Sequence, residues 1–107
     1  MKALFIGLGS AGQRHLQNFI ELRPQYAPAL AYRTSKSNRV IKNGDIVPDK
    51  KLSRYYNIIE FTEIDKALNE NPDVAFICNP SCLHMETALR IAENNIHFFI
   101  EKPLDYI

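Results

Sequence analysis

The sequence predicts an α/β protein with a doubly wound parallel sheet of about five strands and helices on both faces. Two observations lead to this prediction. Apolar runs of strand length alternate along the chain with segments of helical periodicity. A glycine-rich turn joins the first apolar run to the first helical segment. Such an alternation implies parallel strands with right-handed crossover connections.

Five short apolar runs are predicted to be strands. They are KALFI at 2–6, ALAYR at 29–33, DVAFIC at 73–78, IHFFIE at 96–101 and, more weakly marked, YYNIIEF at 55–61. The first, third and fourth lack a clean alternation of apolar and polar residues. Strands of a parallel sheet that are covered on both faces have this property, so these three are expected to be covered on both faces.

Three segments between the runs have the spacing of amphipathic helices. They cover residues 10–22, 62–71 and 82–94. The first has Leu16 and Phe19 on its apolar side and Gln13 away from it. The second begins with the capping-box pattern Thr62-x-x-Asp65 and ends before a proline.

The third helical segment, 82–94, has the clearest pattern. We expect Ser81 to cap its N-terminus. Its apolar residues at i, i+3, i+4 and i+7 are expected to face the sheet: Met85, Ala88, Leu89 and Ala92.

The segment 34–54 is polar and breaks the alternation. It contains six basic side chains and the turn signals NGD and VPD. We expect it to be an inserted loop with a short hairpin or a helical turn. Residues 1–107, with this insert, are expected to form one domain.

Composition excludes several classes of function. The chain has 107 residues, of which 46% are hydrophobic and 23% charged, as in ordinary globular domains. A net charge of +1 gives no general reason to bind nucleic acid or an anionic membrane. The basic residues of 34–54 are interrupted by acids and have no ladder of aromatic residues beside them, so nucleic acid is not an expected partner.

Cysteine spacing and the N-terminus predict a cytoplasmic protein. Cys78 and Cys82 do not have the C-x-x-C spacing of redox and zinc sites, so free thiols and no metal site are expected. The N-terminus lacks the long apolar region of a signal peptide. No apolar run reaches the roughly 18 residues that span a bilayer, so no membrane contact is expected.

The turn FIGLGSAGQRH predicts a dinucleotide site. Gly7 allows a tight strand-to-helix turn, Gly9 lets the backbone approach a diphosphate, and Gly12 lets the helix pack against the strand. The amides near Ser10 and Ala11 lie at the positive end of the helix dipole. The alternative is a structural turn without a ligand. The Gly-Lys-Ser/Thr triplet of phosphate-binding P-loops is absent.

Basic and hydroxyl side chains follow the second strand, where an NAD site would usually hold a carboxylate. Arg33 offers a planar cation suited to a 2′-phosphate, and Thr34 and Ser35 add donors. NADP(H) is therefore expected to be favoured over NAD(H). The alternative is that Arg33 is solvated or stacks on the adenine without discriminating between the two coenzymes.

The stretch PDVAFICNPSCLHMETALRIAENNIHFFIEKPL, together with GLGSAGQRH, closely resembles the N-terminal half of the Gfo/Idh/MocA oxidoreductases. This family contains glucose-fructose oxidoreductase and inositol dehydrogenase. The resemblance covers the chain apart from 34–54. It implies a Rossmann domain in an NAD(P)-dependent enzyme that transfers hydride to or from a secondary alcohol or ketone of a sugar or sugar derivative.

The resemblance also implies roles for residues after the later strands. Asn79, Pro80 and His84 match positions that lie beside the coenzyme diphosphate and the nicotinamide ribose in relatives. Glu101 and Lys102 match the start of the family's Glu-Lys-Pro motif, whose lysine contacts the ribose or the substrate hydroxyl and assists proton transfer. Lys102 is thus the candidate catalytic residue.

Relatives are about three times as long and carry a second, C-terminal substrate domain, which we expect this chain to lack. We therefore expect this chain to bind coenzyme but not to turn over a sugar alone. The last helix and strand of the nucleotide-binding domain are also expected to be absent, and the sheet edge that this leaves uncovered favours a homo-oligomer. The alternative function is a non-catalytic module that senses nicotinamide dinucleotide or binds a protein.

Overall fold

The computed structural model describes residues 1–34, 39–42, 44–48, 50–79 and 83–101. In chain order the elements are β1 Ala3–Ile6, α1 Ser10–Leu22, a 3₁₀ turn Pro24–Tyr26, β2 Ala29–Tyr32, β3 Val40–Lys42, β4 Asp45–Val47, α2 Leu52–Tyr56, β5 Ile58–Phe61, α3 Ile64–Leu68, β6 Val74–Ile77, α4 His84–Glu93 and β7 His97–Ile100. Within these residues, no helix has the length and apolar character to cross a membrane.

Five of the strands form one parallel sheet in the order β5-β2-β1-β6-β7. The central strand β1 is buried along its whole length, because β2 and β6 pair with its two edges and helices cover its two faces. The chain winds from β1 toward β5 on one side and from β6 to β7 on the other. This reversal opens a crevice at the carboxyl ends of β1 and β6, where ligands of such sheets bind.

Alternate residues of β1 supply two cores, one on each face of the sheet. Phe5 points to the face covered by α1 and α2, where its ring stacks on Phe76 with centroids 4.6 Å apart. Leu4 and Ile6 point to the face covered by α3 and α4. Helices therefore lie on both faces, and the predicted doubly wound α/β fold is confirmed.

The polar segment after β2 contains a hairpin and the start of a helix. Strands β3 and β4 pair antiparallel around Gly44, whose φ of 82° requires the left-handed region that glycine adopts without strain. Val40 and Leu52 of this segment, with Tyr56 shortly after it, reach into the core under α1. The segment is thus anchored to the domain by its few apolar residues.

The weakest predicted strand and the predicted capping box both differ from the structure. In YYNIIEF, Tyr55 and Tyr56 close helix α2, and the strand starts only at Ile58, after Asn57 at φ 53°. Helix α3 is shorter than its predicted range and starts after Glu63, with no side-chain hydrogen bond at its cap. The capping box at Thr62 is therefore not formed.

Helix α4 buries a face offset by one residue from the one predicted, and of the four residues expected to face the sheet only Ala88 is buried. Met85 and Leu89 are exposed, at 43% and 61%, whereas the buried residues are His84, Thr87, Ala88 and Ile91. The two faces have the same spacing and are offset by one residue. Two polar residues could take the buried positions because both hydrogen-bond to Asn79 at the end of β6.

Candidate functional site

A cavity of about 960 Å³ opens at the carboxyl ends of the central strands. One part of its wall is the glycine turn, residues 7–11, which we call the glycine end. Another part is residues 32–34 at the end of β2 together with Arg39, which we call the cationic end. Cys78 and Asn79 after β6 and one side of α4 complete the wall. Its volume and position are those of a small-molecule site.

The three glycines of the turn have three different surroundings. Gly7 has φ 88°, and a Cβ there would lie 2.8 Å from the Cα and N of Asn79. A Cβ on Gly12 would collide with the carbonyl oxygen of Gly7. A Cβ on Gly9 would meet nothing within 4 Å and would enter open space beside the cavity. Gly7 and Gly12 are therefore required by packing, and Gly9 leaves room for a ligand.

The N-terminus of α1 meets the cavity without a cap. Among the described residues, no side chain hydrogen-bonds to the amides of its first turn, and that turn has no acidic residue. Ser10 and Ala11 lie on the cavity wall. Unpaired amides and the positive end of the helix dipole favour an anion here. Together with the space at Gly9, this arrangement fits the diphosphate of a dinucleotide.

At the cationic end, Arg33 is paired with a carboxylate. Its Nη2 donates to both carboxylate oxygens of Glu60, at 3.2 and 3.3 Å. The Arg33 side chain is only 9% exposed, and Glu60 is 28% exposed. Arg33 and Thr34 line the cavity, whereas Glu60 does not. A phosphate that approached Arg33 would therefore meet a guanidinium whose charge is partly compensated.

Gln13 links the glycine end to the cationic end. Its Nε2 donates to the carbonyl oxygens of Leu8 at 3.0 Å and Arg39 at 2.8 Å. Its Oε1 accepts from the amide of Ile41 at 2.7 Å and from the hydroxyl of Tyr56 at 3.3 Å. This buried amide was expected away from the apolar side of its helix. It is buried because it hydrogen-bonds to the backbone of both the glycine turn and the polar segment.

Asn79 organises the junction between β6 and α4. Its Nδ2 donates to the hydroxyl of Thr87 at 2.9 Å, and its carbonyl oxygen accepts from Nε2 of His84 at 2.6 Å. Its Oδ1 is buried and has no hydrogen-bond partner among the described residues. A buried acceptor beside a cavity is suited to a hydroxyl donor of a bound ligand.

His15, Cys78 and Glu101 form a mixed cluster beneath the turn, with ligand atoms within 4.8 Å of one another. Nε2 of His15 donates to Oε2 of Glu101 at 2.5 Å. Two ligands of one zinc ion lie about 3.3 Å apart in tetrahedral geometry, so these two atoms would have to separate to hold a metal. Burial, reinforced by the Glu101 carboxylate, raises the pKa of Cys78 to about 11. The thiol is therefore protonated at neutral pH and a poor metal ligand or nucleophile as it stands.

The cavity brings together seven of the residues singled out from the sequence: Gly7, Gly9, Ser10, Ala11, Arg33, Thr34 and Asn79. Three others are described but are not on its wall. Gly12 packs α1 against the turn, His84 is 2% exposed beneath Asn79, and Glu101 contacts His15. Ser35, Pro80, the cap Ser81 and the candidate catalytic Lys102 lie outside the described residues.

Three residues of the site were missed by the sequence reasoning: Gln13, Arg39 and Glu60. Glu60 lies near the end of a predicted strand, but its pairing with Arg33 follows only from the position of that strand beside β2 in the folded sheet. Gln13 carries no such signal, since its role depends on backbone groups more than twenty residues away.

Comparison with known proteins identifies the family. The sequence model described as "Oxidoreductase family, NAD-binding Rossmann fold" (GFO_IDH_MocA) matches residues 1–106. No curated protein sequence matches the chain. Solved structures do match it, and the chain spans only about 30% of their length.

Three of these structures illustrate the likeness. UDP-N-acetylglucosamine 3-dehydrogenase GnnA from Acidithiobacillus ferrooxidans is 22% identical with a TM-score of 0.70, over 98% of this chain and 30% of that one. GenD2 from gentamicin A biosynthesis, in complex with NAD, is 18% identical with a TM-score of 0.76, over 98% and 27%. Levoglucosan dehydrogenase, in complex with NADH and levoglucosan, is 20% identical with a TM-score of 0.72, over 98% and 28%.

At these identities the structural matches support the fold, and the family follows from the sequence model. The chain belongs to the Gfo/Idh/MocA oxidoreductase family and forms its NAD-binding Rossmann domain.

Proposed function

We propose that this chain is the coenzyme-binding part of an oxidoreductase that acts on a sugar or sugar derivative. The observation that carries the proposal is the glycine end of the cavity. There an uncapped helix N-terminus faces open space at Gly9, at the point where the sheet reverses its winding. This combination provides an anion site of the size and place that a dinucleotide requires.

Each part of the cavity has a role in this proposal. The amides of Gly9, Ser10 and Ala11 would hold the diphosphate, and Oδ1 of Asn79 would accept a hydrogen bond from a ribose hydroxyl. His84 and Thr87 keep the Asn79 side chain and backbone in place. The nicotinamide ring supplies hydride transfer when bound.

The catalytic step needs a group that takes or gives the hydroxyl proton of the alcohol. We assign this role to Lys102, and we assign a ribose or diphosphate contact to Pro80; Glu101, which contacts His15 away from the cavity wall, is not given one. Lys102 directly follows Glu101, and Glu101 extends β7 through an amide hydrogen bond to the carbonyl of Ile77 at 3.0 Å. Glu101 thus lies at the carboxyl edge of the sheet, where ligands of such sheets bind, and this supports the assignment of the residue that follows it.

The proposed substrate class is a secondary alcohol or ketone of a sugar. This proposal is supported by the names of two structural matches, levoglucosan dehydrogenase and UDP-N-acetylglucosamine 3-dehydrogenase. The matched structures are more than three times as long as this chain. We therefore propose that sugar binding needs residues beyond these 107 and that the isolated chain binds coenzyme without turnover. We also propose a cytoplasmic location, in keeping with the free thiol of Cys78.

We further propose that NADP(H) binds more tightly than NAD(H). Arg33 and Thr34 line the cationic end, Ser35 follows them, and the side chain of Arg39 is exposed on the same wall. Together they offer two guanidinium groups and hydroxyl donors to a 2′-phosphate. The partial compensation of Arg33 by Glu60 makes this preference smaller than an unpaired arginine would give.

Calorimetric titration of the chain with NADPH and NADH tests the proposal. We expect both coenzymes to bind, NADPH more tightly, and Arg33→Ala to abolish the difference. The Lys66→Ala variant is a suitable control, since Lys66 pairs with Glu63 on the exposed surface of α3. Absence of heat with both coenzymes at millimolar concentration would contradict the coenzyme site. Equal affinities in the wild-type chain would contradict only the NADP(H) preference.

A further inference from the structure

We infer that Glu60 sets the coenzyme preference of this domain by weakening the 2′-phosphate site at Arg33. The inference rests on the proposed coenzyme function and adds a specificity-determining residue to it. Glu60 is not on the wall of the cavity. It therefore acts on the coenzyme through the charge and position of Arg33.

The pairing of Arg33 with Glu60 follows from strand register. Strands β2 and β5 are parallel neighbours, and Ala31 lies opposite Glu60. The amide of Arg33 donates to the carbonyl of Phe61 at 3.2 Å, which continues the ladder past the end of β2. The backbone thus holds the arginine and the carboxylate side by side, so their contact is built into the sheet.

The environment makes this pair electrostatically significant. Arg33 has nine-tenths of its side chain buried, and Glu60 about seven-tenths, so water and salt screen the pair less than an exposed one. Both carboxylate oxygens contact the same guanidinium nitrogen, Nη2. A 2′-phosphate on the cavity side of Arg33 would gain from the guanidinium and lose from the nearby carboxylate.

NADH has no phosphate at this position, so the charge of Glu60 should have little effect on it. Removing that charge is therefore expected to change the affinity for one coenzyme and not the other. Glu60→Gln is the suitable variant because a glutamine keeps an oxygen that can accept from Nη2 while losing the charge. If Glu60 served only to orient Arg33, the same variant would leave NADPH affinity unchanged or reduce it.

The experiment measures dissociation constants for NADPH and NADH with the wild-type chain, Glu60→Gln and Glu21→Gln. Glu21 is an exposed residue near the end of α1 and off the cavity wall, so its variant has the same net charge change without the pairing. We expect Glu60→Gln to bind NADPH about tenfold more tightly, with NADH within twofold of wild type. Glu21→Gln should match the wild-type chain.

The salt dependence of NADPH affinity is a second measurement. A purely structural role of Glu60 predicts no salt-dependent gain in the Glu60 variants. The NADPH gain of Glu60→Gln should shrink between 0.05 and 0.5 M salt, since it arises from charge. Glu60→Ala removes both the charge and the acceptor, so it should show a smaller gain in the same direction. This variant also serves if Glu60→Gln folds poorly.

The outcomes separate this inference from the proposed function. If the wild-type chain binds neither coenzyme, both fail. If it binds coenzyme but both Glu60 variants leave the NADPH-to-NADH affinity ratio unchanged or lower it, only the role of Glu60 is wrong. A higher ratio that persists undiminished at 0.5 M salt would also overturn it, because the cause would not be electrostatic.

Discussion

The glycine end and the cationic end of the cavity differ in the chemical groups that form them. The glycine end consists of backbone amides and of space left by missing side chains, within five consecutive residues. The cationic end consists of long side chains whose positions depend on Glu60 and Gln13, more than twenty residues away in sequence. The comparison teaches that a local backbone site can be recognised from a short motif. A charged site can be predicted only when the partner of each charged side chain is known.

The largest expected effect is a loss of stability on substitution of Gly12, which packs more tightly than Gly9 in the same turn. Gly12→Ala should lower the free energy of unfolding by about 3 kcal/mol, because the new Cβ would collide with the backbone of Gly7 and force α1 away from the turn. Urea denaturation measures this loss. A variant as stable as the wild-type chain would show that the turn can relax and that Gly12 is not required by packing.

The second prediction concerns the connection between the two ends. Gln13→Ala should lower the free energy of unfolding by about 2 kcal/mol. The substitution removes the side-chain partner of two carbonyls, one amide and one hydroxyl in a buried site. Urea denaturation again provides the measurement. Gln17→Ala is the matched control on the same helix, with a smaller loss expected from its two hydrogen bonds. Equal losses of stability in the two variants would contradict the claim that Gln13 contributes more to stability than Gln17.

The same variant should also affect binding. Gln13 donates a hydrogen bond to the carbonyl of Arg39. Its removal should therefore shift the cationic end and weaken the binding of NADPH more than that of NADH. Titration of the folded fraction with both coenzymes tests this effect. A uniform loss for both coenzymes would instead place the influence of Gln13 at the glycine end, through its contact with Leu8.

The third prediction separates binding from stability at the glycine end. Gly9→Ala should leave stability nearly unchanged, because φ is −76° and the added methyl group meets nothing within 4 Å. It should weaken NADH and NADPH alike by about tenfold, since the methyl group occupies the space proposed for the diphosphate. Paired denaturation and titration experiments check both parts. Unchanged affinity would mean that no ligand approaches Gly9.

Much of the fold was predictable because its signals are local. The buried strands are short apolar runs, and Gly7, Gly9 and Gly12 have the spacing that a strand-to-helix turn needs. The inward face of α4 was not predictable from periodicity alone. Polar His84 and Thr87 occupy it because Asn79 binds both of them, and that contact exists only in the folded chain.

The site was predictable in the same uneven way. The residues of the glycine end could be named from the motif, and Arg33 from its distance after that motif. The pairing of Arg33 with Glu60 depends on which strand lies beside β2. The burial of Gln13 depends on how the polar segment returns over α1. Both are tertiary facts, so composition and spacing could not supply them.

The central claim is that the first amides of α1 bind a coenzyme diphosphate. The most direct measurement is a ¹H–¹⁵N NMR titration of the ¹⁵N-labelled chain with NADH. The claim predicts that the amide signals of Gly9, Ser10 and Ala11 shift most and in a saturable way, with weaker changes at Arg33 and Asn79. Signals of the glycine end that stay in place while NADH is added to millimolar concentration would contradict it.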